Sequence, residues 1–304
     1  MARGVSEGQR RQGAIYERRI ASMTYAELHC RTNFSFLSGA SHPHELVAQA
    51  GALGLTALAI TDLSGVYGVV RAWEARRKIL AAHERGERDA VNGALIARPP
   101  RLIYGSELQL DPIPRDGGRR DPIATRHGDR RDPSGLRGAD RREPSDALVV
   151  LARDGAGWSK LTALITRGRR RVAKGAFSLT QAEVRHAGGA HWVVLAGGPR
   201  SRLLRLLRRG EIAAVRRELF ALREAFGDAL FVEVTRHRRP GDGARSRAIA
   251  ALAREINVPV VATNDVFFHA VERKRLQDIL ECLRLGVSLS EAGRRLWPNA
   301  ERRL

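Results

Sequence analysis

The chain has 304 residues, enough for one large core or two small ones. It is 43% apolar with no run of about 18 apolar residues, which excludes a membrane-spanning helix, and its polar, basic first 20 residues lack the apolar stretch of a signal peptide. The net charge of +20 is almost all arginine, since only Lys78, Lys160, Lys174 and Lys274 are lysine; it favours polyanionic partners, nucleic acid above all, while 5% aromatics argue against a single-strand stacking surface.

A GC-rich coding sequence produces the same excess of Arg, Ala and Gly, so charge alone leaves nucleic-acid contact open. Cys30 and Cys282 have no zinc-like spacing, and a reduced, cytoplasmic protein is expected. Met23 lies just before the first strand, so residues 1–22 read as a disordered basic leader or an over-extended start.

Residues 25–30 form the first expected strand. Ser41 is a candidate N-cap, Pro43 suits a first helical turn, and Leu46, Val47, Ala50 and Leu53 give the helical apolar spacing up to Gly54. The apolar run 55–61 reads as a buried parallel strand, followed by a long helix over 66–85. Residues 101–110 (RLIYGSELQL) are a strand carrying Glu107. From 111 to 146 the chain is rich in Arg, Asp, Gly and Pro, with nine Arg against eight acidic residues, and cannot bury enough surface to order itself; a disordered insertion is expected.

The strand pattern resumes at 147–152. A helix over 157–166, a basic turn over 167–174 and a short helix capped by Ser178 follow. Strands at 191–196, 229–235 and 258–263 alternate with helices over 200–227, 244–256 and 272–285, and a basic tail ends the chain. Every connection is long enough for a helical crossover, so the sheet should be largely parallel. His29, Asp62, Glu107, Glu233 and Asp265 recur just after or late in apolar strands, where an α/β barrel gathers its functional groups. Trp73 and Trp158 read as packing anchors. His83, His186 and His191 have no evident partner.

The segments ELHCRTNFSFLSGASHPHELV, ITDLSGV, YGSEL and VATNDVFFHA resemble, in this order, the motifs of the polymerase-and-histidinol-phosphatase (PHP) domain. More narrowly, with RKRLQDILECLRLG, they are similar to the amino-terminal PHP domain of bacterial C-family DNA polymerases, the DNA polymerase III alpha subunits, in their error-prone branch. The resemblance implies an α/β fold, a distorted (β/α)7 barrel with an insertion. It divides the chain into a PHP domain over 23–270 and, over 271–304, the helical start of a connection to a polymerase body. Such polymerases serve damage-tolerant, translesion synthesis and DNA repair, with DNA, the rest of the polymerase and other replication proteins as partners.

The resemblance also implies a metal site, here mostly substituted. His29, Glu107 and Asp265 match ligand positions, with Asp62 beside them. Arg31, Ser38, Leu63, Ala147 and Phe267 stand where ligands are expected, and His237 matches a ligand region only loosely. Asp62 fits equally well as a cap for the following helix. A polynuclear centre needs more imidazole and carboxylate ligands than survive, and Arg31 brings a permanent cation into the site; it is expected to pair with Glu107 or Asp265. No catalytic residue is assigned. No cofactor is expected for this stretch; Mg2+ serves the full-length polymerases, and Zn2+ or Mn2+ enters only if the vestigial residues still bind. Arg167, Arg169, Arg170, Arg171 and Lys174 are candidate nucleic-acid contacts. The chain contains no GxxxxGK[ST] phosphate loop. The reading is therefore a structural module of an error-prone DNA polymerase, with a metal-dependent phosphoesterase or 3′–5′ exonuclease, or a pure interaction module, as alternatives.

Overall fold

The computed structural model describes residues 25–90, 92–111 and 146–304. The expected leader, Met23 and all but the ends of the expected insertion lie outside them. Seven strands form one sheet in chain order: β1 (Ala26–Glu27), β2 (Ala57–Ile60), β3 (Arg101–Leu110), β4 (Asp146–Ala152), β5 (Trp192–Ala196), β6 (Leu230–Val234) and β7 (Val260–Ala262). Beyond β1 and β7, a parallel bridge between Cys30 and Val266 joins the two edges and curls the sheet into a distorted barrel.

The connections are helical: α1 (Pro43–Ala52), α2 (Val69–Glu84), α3 (Gly155–Arg170), α4 (Gln181–Ala187), α5 (Arg202–Arg208), α6 (Ile212–Phe226) and α7 (Asp242–Glu255). After β7 come α8 (Lys274–Leu285) and the short α9 (Leu289–Ala292). Leu161, Leu164, Leu219, Leu222, Ile249 and Leu252 pack helices on the outer face of β3–β6 in the largest apolar cluster. A second cluster joins Leu46, Val47 and Ala50 of α1 to Leu58 and Ile60 of β2. Inside the barrel a thin layer of Ala59, Val149, Leu151 and Leu195 meets Leu28, Phe231 and Val261. Two residues beyond Phe231 and Val261 come Glu233 and Thr263, so strand alternation turns both inward, above that layer.

Several local expectations are corrected. β4 runs antiparallel to both neighbours, whereas β1–β2–β3 and β5–β6–β7 pair in parallel. Leu110 pairs with Asp146, so whatever lies between them starts and ends at one point and no crossover is required. Asp146 belongs to β4, where its carboxylate accepts from the Ala147 and Arg202 amides. His42, not Ser41, is the N-cap of α1; the Ser41 hydroxyl instead accepts from the His269 amide. Thr180, not Ser178, caps α4 in a capping box with Glu183. Helix α3 runs from its cap Asp154 through Arg170, so the first residues of the expected basic turn are its last helical turn. Trp158 packs edge-on against Tyr104, but Trp73 is 49% exposed beneath the Arg77 guanidinium and anchors nothing in the core. His83 and His191 do have partners, the Ile96 carbonyl and Asp154.

Candidate functional site

At the carboxyl ends of the strands three acids, three guanidiniums and one imidazole meet. His29 follows β1 and is buried. Its Nδ1 lies 2.7 Å from Glu233 Oε1, and its Nε2 lies 3.0 Å from Glu107 Oε2 and 3.5 Å from Asp265 Oδ1. The Thr263 hydroxyl donates to the same Glu233 oxygen. Asp265 sits at φ 47°, a left-handed conformation that Asp tolerates, and its carboxylate is buried.

Arg31 is 1% exposed. Its Nε donates to Glu107 Oε2 at 2.7 Å; its Nη2 donates to the same oxygen and lies 3.1 Å from Asp265 Oδ1. Arg200, in the loop after β5, keeps 36% of its side chain exposed and donates twice to Glu107, at 2.9 and 2.6 Å. Arg302, in the tail, pairs with Asp265 Oδ2 at 2.8 Å. Phe267 is the platform: Arg31 lies over its ring at 4.5 Å and Arg302 at 4.2 Å, while Trp297 covers Arg302 from 3.6 Å. Stacking accounts for a guanidinium with unbonded N–H groups in so dry a place, such as Arg31 Nη1.

The fields are strong. Burial alone would lower the His29 pKa, but Glu233, Asp265 and Glu107 raise it to about 10. Burial would raise the Glu107 carboxyl; Arg200, Arg31 and His29 outweigh it and hold the pKa well below the usual range. Asp265, against the same burial, is held at about 2 by Arg302, Arg31 and His29. Arg302 itself is pushed down to about 10, chiefly by burial.

The expected site residues divide accordingly. His29, Glu107 and Asp265 come together, each offering a ligand atom within 4.8 Å of the others. Asp62 is not in that group and takes the other place expected of it, at the start of the following helix. Its carboxylate accepts from the Thr32 and Gly68 amides at 2.8 and 2.9 Å and from the Thr32 and Ser35 hydroxyls at 2.9 and 2.7 Å. It ties the β1–α1 loop to Gly68, the N-cap of α2. Leu63 bridges Glu107 through backbone alone, Ala147 faces Gln109 with a methyl group, and the Ser38 amide closes a turn onto Ser35. His237 is buried with its Nε2 2.8 Å from the Asn264 carbonyl, and burial lowers its pKa.

Sequence reasoning missed Arg200 and Arg302 as members of the cluster. Arg200 had a signal, following Gly197-Gly198-Pro199 directly after an apolar strand, where barrel loops gather function. Arg302 had none, because only the fold returns the tail to β7: the Phe267 amide donates to the Arg302 carbonyl and the Leu304 amide to the Phe268 carbonyl.

Three ligand atoms would suit one divalent cation, yet guanidiniums donate to Glu107 Oε1 and Oε2 and pair with Asp265 Oδ2, and Arg31 Nη2 stands 3.1 Å from Asp265 Oδ1, which accepts no hydrogen bond among the described residues. An ion there would have to displace Arg31 and stand beside Arg200 and Arg302. The donor set therefore does not fit a polynuclear metal centre.

Of the five basic candidates, Arg169 donates to the Ser64 and Ala176 carbonyls, and Arg171 pairs with Glu183. Arg167, Arg170 and Lys174 are exposed and enter no ion pair among the described residues.

Curated relatives are error-prone DNA polymerases. That of Aromatoleum aromaticum is 38% identical over 280 residues, 92% of this chain and 21% of its own. That of Anaeromyxobacter dehalogenans is 37% identical over 92% of this chain and 20% of its own. This chain thus spans about a fifth of their length. A solved structure from Bifidobacterium adolescentis, described as a metal-dependent phosphoesterase, overlays at a TM-score of 0.45 and 16% identity, over 80% of this chain and 87% of that one, too loosely to argue from. The PHP domain family matches residues 27–237, and with the motif order, the barrel and the strand-end cluster in agreement, the chain belongs to that family.

Proposed function

We propose that this PHP domain is a structural module of an error-prone DNA polymerase, in which buried ion pairs replace a catalytic metal centre. The observation that carries the reading is the Arg31 guanidinium between Glu107 and Asp265, backed by Arg200 and Arg302. Fixed cations supply the positive charge a metal would supply, without an exchangeable site for substrate or water. The relatives' names support the assignment to a polymerase that tolerates damaged template, working on DNA with the rest of its chain. Nucleotide transfer by such a polymerase would rest on Mg2+ and carboxylates of a palm domain, outside residues 23–270. Arg167, Arg170 and Lys174 are the residues of the basic stretch left free to meet a phosphate backbone.

The test is incubation of the chain with Mn2+ or Zn2+ and a 3′-labelled primer-template. No metal-dependent loss of 3′ nucleotides is expected. Loss that requires metal and disappears in Asp265→Asn would overturn the structural reading in favour of an exonuclease.

A further inference from the structure

The seam between β7 and β1 differs from the other parallel seams of the barrel. In a βαβ unit the crossover helix covers the seam between its two strands, but the last and first strands have no such connection. Their ladder is also incomplete. Above, Cys30 bridges Val266; below, the Glu27 carboxylate stands in for ladder bonds, accepting from the His29 amide at 2.8 Å and the Asn264 amide at 2.9 Å. Outside this seam runs a groove of about 960 Å³ bounded by Leu53 and Leu55 on one side and α7 on the other.

The groove has an apolar floor and a cationic rim. Leu55, Val234, Ala262 and Leu304 lie along it, and Arg236, Arg247, Arg254 and Arg303 also line it. Arg247, Ala250 and Arg254 are spaced three and four apart on α7 and so share one helix face. Arg236, Arg247 and Arg254 are exposed and enter no ion pair among the described residues. Glu27 is the only acid in the lining, and it is 1% exposed with both oxygens engaged by the two amides and the Tyr25 hydroxyl. Arg303 pairs with Glu301 at 3.7 Å, which leaves Arg236, Arg247 and Arg254 as the rim cations without a counter-charge among the described residues.

We propose that this groove receives an acidic amphipathic helix from a protein partner, in the place a crossover helix would occupy. The helix would set its apolar stripe on the floor and its carboxylates against the arginines, in the helix-in-groove mode. Other occupants fit less well. An apolar floor does not suit a sugar–phosphate backbone. A second copy brings another net charge of +20, and residues 1–22 of this chain carry five arginines against two glutamates.

The test is fluorescence anisotropy of the 304-residue chain with a labelled 16-residue peptide, Leu at alternating three- and four-residue spacing and Glu elsewhere. Saturable one-to-one binding is expected. The double variant Arg247→Glu/Arg254→Glu, or Ala250→Phe filling the groove, should weaken it at least about tenfold while the thermal midpoint holds. A scrambled peptide of the same composition separates groove recognition from general attraction to a basic protein. Equal affinity for the scrambled peptide, undiminished binding by variants that keep their thermal midpoint, or no binding would each overturn the proposal. Self-association abolished by the same substitutions would assign the groove to a second copy instead.

Discussion

Arg31 sets the chemistry of the strand-end cluster. On a strand, residues i and i+2 point the same way, so positions 29 and 31 converge on one spot. With Arg31 there, Glu107 and Asp265 stay ionised in a dry environment. Burying such a network gains little over an apolar filling, but breaking one member leaves an uncompensated charge. Arg31→Met should therefore lower the unfolding free energy in urea by about 3–5 kcal/mol; a loss under about 1 kcal/mol would mean that Arg200 and Arg302 neutralise both acids unaided. The His29 contribution has a definite sign with pH. Its pKa rises from 6.5 to about 10 on folding, so the stabilisation is fully present below pH 6.5 and is lost as pH climbs through about 10. Asp265 acts at the other end: with its pKa lowered from 3.8 to about 2, its stabilisation is present above pH 3.8 and lost as pH falls through 2. Denaturation curves between pH 6.5 and 10 should show the His29 decline, and His29→Gln should flatten it.

At the level of elements, Asp62 works as a clasp. Parallel strands end in loops that must be held against the next helix, and here one carboxylate satisfies the Thr32 and Gly68 amides together. Gly68 is glycine because a Cβ there would lie 2.5 Å from Asp62 Oδ2. Asp62→Ala leaves two amides and two hydroxyls without their acceptor, and each unsatisfied buried group costs about 1–3 kcal/mol. The expected outcome is a loss of at least about 3 kcal/mol, with faster hydrogen exchange at Thr32 and Gly68. Unchanged exchange at both amides would show that other acceptors replace the carboxylate. The tail has a similar role. Residues 299–304 bring Asn299, Arg302 and Leu304 back against the barrel, so the far end of the described chain completes the cluster begun at His29.

Across the whole molecule, a guanidinium-filled site should not answer to metal. Thermal midpoints should be the same with chelator and with millimolar Mn2+ or Zn2+; a rise of several degrees that His29→Gln abolishes would reveal a bound ion. DNA affinity, if carried by Arg167, Arg170 and Lys174, should fall steeply with salt. Replacing all three with Gln should lower the log–log salt slope by up to about 3. An unchanged slope would move the contact to another face.

The sequence determined the element order and the strand-end convergence of His29, Glu107 and Asp265, because strand alternation is a local property. It also named Arg31 as the intruding cation. Only the tertiary structure decided that β4 runs backwards, since strand direction depends on which ends of a sheet a connection joins. Only tertiary structure separated Asp62 from the cluster, because capping and ligation call for the same residue type at the same spacing. Arg200 and Arg302 enter from loops 169 and 271 residues beyond Arg31. No local pattern records such a contact; closing the barrel and folding the tail across its mouth create it.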